Sequence, residues 1–452
     1  MPDRGGLAIA AQASVESIAA RILAAASSQG GDAEVFHVAS SSTPVHFEAN
    51  QIKAVDANES AGAALRLIKD GRVGFGSSSD LGNIDDLVGA AVETSPFGAE
   101  AKFQFPSAAD YPDVPLYDAA VDDVSLEEMV ALGQRVIDEV RTYSDEVQVE
   151  GGVTRSTSTI TLTNSRGGHV SYTRSGFRVG FEGTVIHGED MLFTSHSMSS
   201  VSPITDTTEI VSSIIRQLEW AKTTVPVETK SMPVILMPKA VPSILLSPLL
   251  AGVSGKAVLQ GTSPLAEKLG EKIVDERFSL IDDSTLPWIP ASSPSDDEGV
   301  PSKRLPLINN GVVGTFLYDL QTAGLAGTQS TGSGERGLGS LPGPSAGVLL
   351  VGEGERPLDE LIANMDEGLI IEGLLGAGQS NVLGGDFNAN VLLGYKVERG
   401  AVVGRVKNVM ISGNVYTSLN NLIAIASDGR WVRGGLYTPA IALADVSVAA
   451  NG

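Results

Sequence analysis

The chain has 452 residues, with 31 Lys and Arg against 54 Asp and Glu, a formal net charge of −23. It holds no cysteine and five histidines, which excludes disulfides, thiolate chemistry and any cysteine-ligated zinc or iron–sulfur site. The excess of acid argues against binding a phosphate backbone, which needs clustered Lys and Arg.

A hydrophobic share of 42% and a charged share of 19% fit a folded core, and the length predicts two or three domains. No run of 18 apolar residues occurs, so no membrane span is expected. The apolar stretch 7–26 carries Glu16 and Arg21 and reads as an amphipathic helix, not as a signal peptide. These features predict a soluble, cytoplasmic protein.

In chain order, residues 14–27 are helical in pattern, with Ser14 as N-cap and Ile18, Ile22 and Ala26 on one face. Strand patterns follow at 34–40, 45–49, 63–69 and 72–77, and Asp70-Gly71 is a type I′ hairpin signal. A second helix is expected over 81–93. Pro96, Pro106, Pro112 and Pro115 then mark a linker. Ser125 and Glu128 form a capping box that opens a helix to about Tyr143. Strands are expected at 147–153, 157–163, 169–173, 178–185 and 191–198, with a turn at Asn164–Gly168 and a closing helix over 207–223. Beyond Pro226 come a short apolar strand, a helix from Pro242 to about Gly252, and many short β-type runs rich in glycine. The pattern predicts an α+β protein in three parts: an N-terminal α+β domain (1–110) and a middle α+β domain (118–225), both with antiparallel sheets, then a β-rich, barrel-like C-terminal domain (230–452).

Most chemical motifs are incomplete. Gly252 to Lys256 resembles part of a phosphate loop, but the spacing is short and Ala257 stands where a metal-binding hydroxyl belongs. No nucleophile elbow is present, and no histidine follows Ser254 to activate it. The histidines lack H-E-x-x-H spacing. His187 and His196 lie on a predicted hairpin, where structural roles are favoured over a metal pair. Asp296, Asp297 and Glu298 form a carboxylate run that could hold a hard cation or an amine, or simply be solvated. The loop 330–336 is polar and glycine-rich, so its backbone could approach a peptide closely.

Taken in order, Asp297-Glu-Gly-Val-Pro301, Leu307-Ile-Asn-Asn-Gly311, Tyr318-Asp319, Thr322-Ala323, Ser330-Thr-Gly332, Gly385-Asp-Phe387 and Ile411-Ser-Gly-Asn414 resemble the TldD/PmbA family. Arg66 to Phe75 is similar to its N-terminal hairpin, and Thr163 to Gly167 to its middle domain. The resemblance implies two branches. TldD is a zinc peptidase with an H-E-x-x-x-H helix and a later cysteine ligand. PmbA, also called TldE, lacks that set and pairs with TldD around a chamber for extended peptides. The family also carries a label as a modulator of DNA gyrase. Against the zinc helix, Ser247 stands at the first histidine, Pro248 at the glutamate and Gly252 at the second histidine. The resemblance therefore implies the PmbA branch, with no catalytic residue, no metal and no cofactor of its own. Its implied partners are a TldD-like zinc-bearing subunit, or a second copy when isolated, and an extended peptide, with no nucleic acid and no membrane. Candidate peptide contacts are Asp297, Glu298, Arg304, Tyr318, Asp319, Thr331 and Arg336, while Asn414 can equally be a turn residue. Two other readings remain open: an independent hydrolase using Asp296, Asp297 and Glu298 with a divalent ion, and a protein-binding regulator.

Overall fold

The computed structural model describes residues 17–450. Helix α1 covers 17–27 of these, and Ser14, its expected N-cap, lies outside the described residues. Four antiparallel strands follow: β1 (Asp32–Glu48), β2 (Gln51–Val55), β3 (Asn58–Lys69) and β4 (Arg72–Ser78). The β3–β4 turn has Asp70 and Gly71 both at positive φ, 50° and 74°, the geometry that Asp-Gly favours. Helix α2 (Ile84–Thr94) closes this part. A single turn, α3 (Ala120–Asp123), leads into α4 (Leu126–Tyr143), whose capping box has both reciprocal hydrogen bonds. Then come β5 (Gln148–Asn164), β6 (His169–His187), β7 (Asp190–Ser200) and α5 (Thr208–Trp220).

Several expected pairs of strands are single long strands. The runs 34–40 and 45–49 fuse into β1, those at 147–153 and 157–163 into β5, and those at 169–173 and 178–185 into β6. Serine, threonine and glycine break the apolar pattern, but each break is paired in the sheet. Ser40 meets Ser158 at 2.8 Å, Thr159 meets Thr173 at 2.9 Å and Thr161 meets Ser171 at 2.8 Å through their hydroxyls. Pro44 falls between the end of the β3 pairing at Ser42 and the start of the β2 pairing at Val45, so its missing N–H leaves no gap on that side.

These strands form one seven-stranded sheet, β4-β3-β1-β5-β6-β7 with β2 beside β1. The β1–β5 pairing carries it across the proline-rich stretch, so both N-terminal parts share the sheet. One face buries Val35, Leu65 and Leu67 against α1 and α2, and Phe47, Val149 and Val179 against α4 and α5. Among the described residues, the opposite face has no helix of these parts against it and turns to the C-terminal half.

That half holds a closed five-stranded barrel and a second sheet. The barrel runs from Glu367–Leu375 through β8 (Lys230–Leu236), Ile441–Ala450, Val409–Asn414 and Asp386–Glu398, which pairs back to the first strand. The six-stranded sheet ends on the edge strand Arg430–Val432. The expected helix after Pro242 is a π-helical turn, Pro242–Leu246, continued by α6 (Ser247–Val253) inside the largest apolar core. Helix α5 docks on the barrel: Trp220 meets Tyr395 edge-on at 5.2 Å, and the Tyr395 hydroxyl donates to Gln217 O at 3.2 Å. No helix among the described residues is long and apolar enough to cross a membrane.

Gly133 of α4 lies against the Phe47 ring, where an added Cβ would stand 2.3 Å from ring carbon Cε2. Phe47 is 3% exposed and packs on Phe181 at 5.7 Å, which leaves it little room to yield. Gly133→Ala is therefore expected to destabilise the protein by about 1–3 kcal/mol in denaturant unfolding, against the gain an alanine normally brings to a helix.

Candidate functional site

The face of the sheet opposite the helices has two ends with different fates. At the first, Glu34 of β1 and Arg66 of β3 are register partners. Arg66 donates to both Glu34 oxygens, Nε to Oε1 at 3.0 Å and Nη2 to Oε2 at 2.6 Å, and its Nη1 donates to Glu298 Oε1 at 2.6 Å. Arg336 Nη2 donates to Glu34 Oε1 at 2.6 Å. The remaining Glu298 oxygen accepts from Leu320 N at 2.6 Å. All four side chains are at most 3% exposed. Phe103 and Phe105, from the proline-rich stretch, each lie 5.2 Å from the Arg66 guanidinium, and Phe36 lies 4.6 Å from that of Arg336. Two acids and two bases thus form a neutral, sealed quartet that ties the sheet to the C-terminal loops.

The electrostatics follow from burial and neighbours. Burial pushes the Glu34 carboxyl up, but the guanidiniums of Arg336 and Arg66 together hold it below its usual range. For Glu298 burial prevails, with the charges of Asp319 and Glu34 adding to it against Arg66, and the carboxyl is raised. Burial also raises Asp296, helped by Glu298, although Gly334, Val300 and Glu298 donate backbone N–H bonds to it.

Six of the seven residues expected to contact peptide gather around this quartet. Glu298 and Arg336 are members. Asp297 accepts from Arg336 N at 3.0 Å, and burial raises its carboxyl. Asp319 caps the short helix Leu320–Ala326, accepting from Thr322 N at 2.7 Å, and is 3% exposed. Thr331 donates to Tyr318 O at 3.1 Å and accepts from Tyr318 N at 2.8 Å. The Tyr318 ring packs on Gly255, where a Cβ would stand 2.3 Å away, so the segment resembling a phosphate loop is a packing joint. Arg304 lies apart, exposed, with Asp283 at 3.7 Å. Asn414 is an N-cap that accepts from Tyr416 N at 3.1 Å. His187 and His196 do not meet: the first has Glu146 at 3.1 Å and the second Glu209 at 3.4 Å. Sequence reasoning missed Glu34, whose signal is a lone acid within a buried strand pattern.

The three positions that the resemblance aligns with the zinc motif, Ser247, Pro248 and Gly252, sit on α6. The Ser247 hydroxyl donates to Pro242 O at 3.2 Å. Pro248 is buried. Gly252 is buried under the Tyr416 hydroxyl, which would stand 2.9 Å from an added Cβ.

At its second end the sheet face is open. A cavity of about 770 Å³ is lined by residues such as His46, Glu150, Arg178 and Glu182. It shares Arg178, Glu182, Ser195, His196 and Lys239 with a second cavity of about 350 Å³ that reaches Glu372 of the barrel and Trp431 and Arg433 at the sheet edge. Apart from His196, sequence reasoning missed this cleft, because its residues come from separate segments with no shared motif.

A seven-stranded sheet coated with helices on one face and leaning on a closed barrel is the architecture of a known peptidase class. Three domain descriptions match in order: PmbA/TldA metallopeptidase domain 1 over residues 33–95, the central domain over 120–222 and the C-terminal domain over 229–450. The chain belongs to the TldD/PmbA family. It is similar to an uncharacterized protein of Methanocaldococcus jannaschii, 27% identical over 418 residues, covering 91% of this chain and 95% of that one. A metalloprotease PmbA homolog of Haemophilus influenzae is 26% identical over 448 residues, covering 94% of each chain. The crystal structure of TldE from Thermococcus kodakarensis superposes with a TM-score of 0.88 at 25% identity, covering 96% of this chain and 100% of that one.

Removing one charge of the quartet strands the others in a dry site. Arg66→Met is expected to cost about 3–5 kcal/mol of unfolding free energy, and Arg66→Met with Glu298→Gln, which restores neutrality, to recover part of it; chemical denaturation of the single and double variants checks this. A second expectation concerns Asp282, on the strand Leu280–Asp283. Burial raises its carboxyl to about 7, against backbone N–H bonds from Gly347 and Val348 and with the charges of Asp283 and Glu335 adding. A carboxyl raised in the folded state stabilises below its unfolded pKa of about 4 and loses that contribution as pH rises toward 7. Asp282→Asn should therefore be more stable than the parent by about 1–3 kcal/mol at pH 8, with the difference vanishing toward pH 4, as thermal unfolding across pH will read.

Proposed function

We propose that this chain is the PmbA/TldE-like, zinc-free subunit of a TldD/PmbA-type metallopeptidase that acts on unfolded peptides in the cytoplasm. Its task is to complete the substrate chamber around a TldD-like zinc-bearing partner. In isolation the same surface pairs two copies of the chain.

The observation that carries this reading is the chemistry at the three zinc-motif positions. Ser247 turns its hydroxyl to a backbone carbonyl, Pro248 has no ligating atom, and Gly252 has no side chain and is covered by Tyr416. That set does not fit Zn²⁺, which takes His, Cys or carboxylate donors, nor can it activate a bound water. The Haemophilus relative of PmbA name and the TldE structure support the assignment to this branch. The carboxylates Asp296, Asp297 and Glu298 accept backbone N–H bonds or belong to the buried quartet, so they do not favour an independent hydrolase. Peptide contact falls instead to the open cleft and to the less buried Tyr318, Thr331 and Arg304.

The test is a peptidase assay on unfolded peptides with this chain alone, a TldD-type protein alone, and both together, with zinc counted in each. Little turnover by this chain, clear turnover by the mixture, and zinc only in the partner are expected. Turnover by this chain alone, or a full equivalent of zinc in it, would sink the proposal.

A further inference from the structure

We infer that the cleft between the open end of the sheet and the barrel binds the carboxylate of an extended peptide. This rests on the peptide-chamber reading above and names what the chamber selects.

The chain is strongly acidic, yet cations collect in the part of the cleft beside the barrel: Arg178, Arg216, Lys239, Arg430 and Arg433 line it with two acids, Glu182 and Glu372, and Arg430 has Glu209 at 3.6 Å. Three of the cations have no carboxylate partner among the described residues. Arg178 and Arg433 are exposed with no ion pair, and Arg216 stacks over Trp220 at 5.3 Å while its Nε is buried without a hydrogen bond. Lys239 donates to the Ser195 carbonyl and to its hydroxyl at 2.9 Å, not to an acid, and burial holds its ammonium below the usual lysine range. A bound anion would find a field of cations that the protein's own carboxylates leave largely unpaired.

The two acids decide which anion. Glu372 lines the cleft at 6% exposure and its Oε2 is buried without a donor, so the wall holds an unsatisfied acceptor. Glu182 is raised by burial, with Glu150 adding to the rise. A polyphosphate, carrying several charges, would be repelled by these carboxylates and by the whole acidic chain more strongly than a single carboxylate. A peptide brings both halves of the match: a carboxylate for the guanidiniums and main-chain N–H groups for Glu372. The setting suits an extended strand. Trp431 is 38% exposed on the edge strand Arg430–Val432, and β7, the outer strand of the seven-stranded sheet, lines the other side. Arg433 follows with φ of +53°, a conformation that L residues hold only at a cost and that aims its side chain from a fixed turn.

The carboxylate can be a chain terminus or an acidic side chain, and labelled peptides separate the two. Fluorescence anisotropy would follow unstructured decapeptides binding to the full chain, alone and with its zinc-bearing partner. Three peptides are compared: one with a free C-terminus and no acidic residue, its C-terminal amide, and an amide carrying internal glutamates. We expect at least one carboxylate-bearing peptide to bind about tenfold more tightly than the neutral amide. Arg178→Gln with Arg433→Asn should abolish that preference; both sites are exposed, and asparagine tolerates the left-handed backbone. Arg135→Ala, exposed on α4 across the sheet, should leave it intact. Equal binding of all three peptides, or an unchanged preference in the double variant, overturns the carboxylate inference and leaves the chamber reading standing. Absence of binding by every peptide, with or without the partner, overturns both.

Discussion

The Glu34–Arg66–Glu298–Arg336 quartet is the contact on which the arrangement of the chain depends. Taking ions out of water costs several kcal/mol each, and attraction in a dry site offsets that only when geometry is good and the other polar atoms are served. Here Arg66 uses its whole fork, two bonds to Glu34 and one to Glu298, and Glu298 is completed by Leu320 N. The match is not complete, since Arg336 Nε and Nη1 have no acceptor. A plain apolar plug would fill the same space without that deficit. What the quartet adds is direction: only one placement of the C-terminal loops aligns a fork on β3 with carboxylates from two distant segments.

That placement divides one face of the sheet into a closed end and an open one. The strands run 17 and 19 residues in β5 and β6, far longer than the patch the loops can cover. With α1, α2, α4 and α5 on the opposite face, part of the uncovered length faces the barrel and the edge strand Arg430–Val432. The cleft is thus the remainder of a sheet anchored at one end. Buried ion pairs close the first end, and cations of which several lack a carboxylate partner among the described residues line the second, so one layer provides both the lock and the proposed binding surface.

Local chemistry in the sequence carried far. Asp70-Gly71, the Ser125–Glu128 box and the Asn164 turn each fix a boundary by bonds within a few residues, and such bonds are visible in a linear reading. The lengths of β1, β5 and β6 were not, because a serine or glycine that reads as a break is sustained by a partner across the sheet. The acidic run at Asp296 reads as solvated or peptide-facing by type. Its partners Gly334 and Arg66 lie tens and hundreds of residues away, and burial that depends on them has no local mark. The cleft was least legible, since Arg178, Lys239, Glu372 and Arg433 share no spacing. The ordered motifs revealed the family, while the residues that line its cavities had to be brought together by the fold.

On the proposed reading, the helix aligned with the zinc motif bears on how a catalytic position is retired. A peptidase that merely lost its ligands would keep the room they occupied. Around Gly252 the room is gone: an added Cβ would stand 2.9 Å from the Tyr416 hydroxyl and 3.0 Å from Leu265. Both neighbours belong to the main apolar core or pack on it. Tyr416 in turn rests under the Asn414 cap, and burial raises its hydroxyl to about 12, so it stays neutral at physiological pH. A histidine placed at 252 would have to displace a packed aromatic ring before it could reach any ion, and overpacking of that kind typically costs about 1–3 kcal/mol. On the reading proposed above, the helix has passed from ligand carrier to core element. Its constraint is now the same close packing that holds the barrel together.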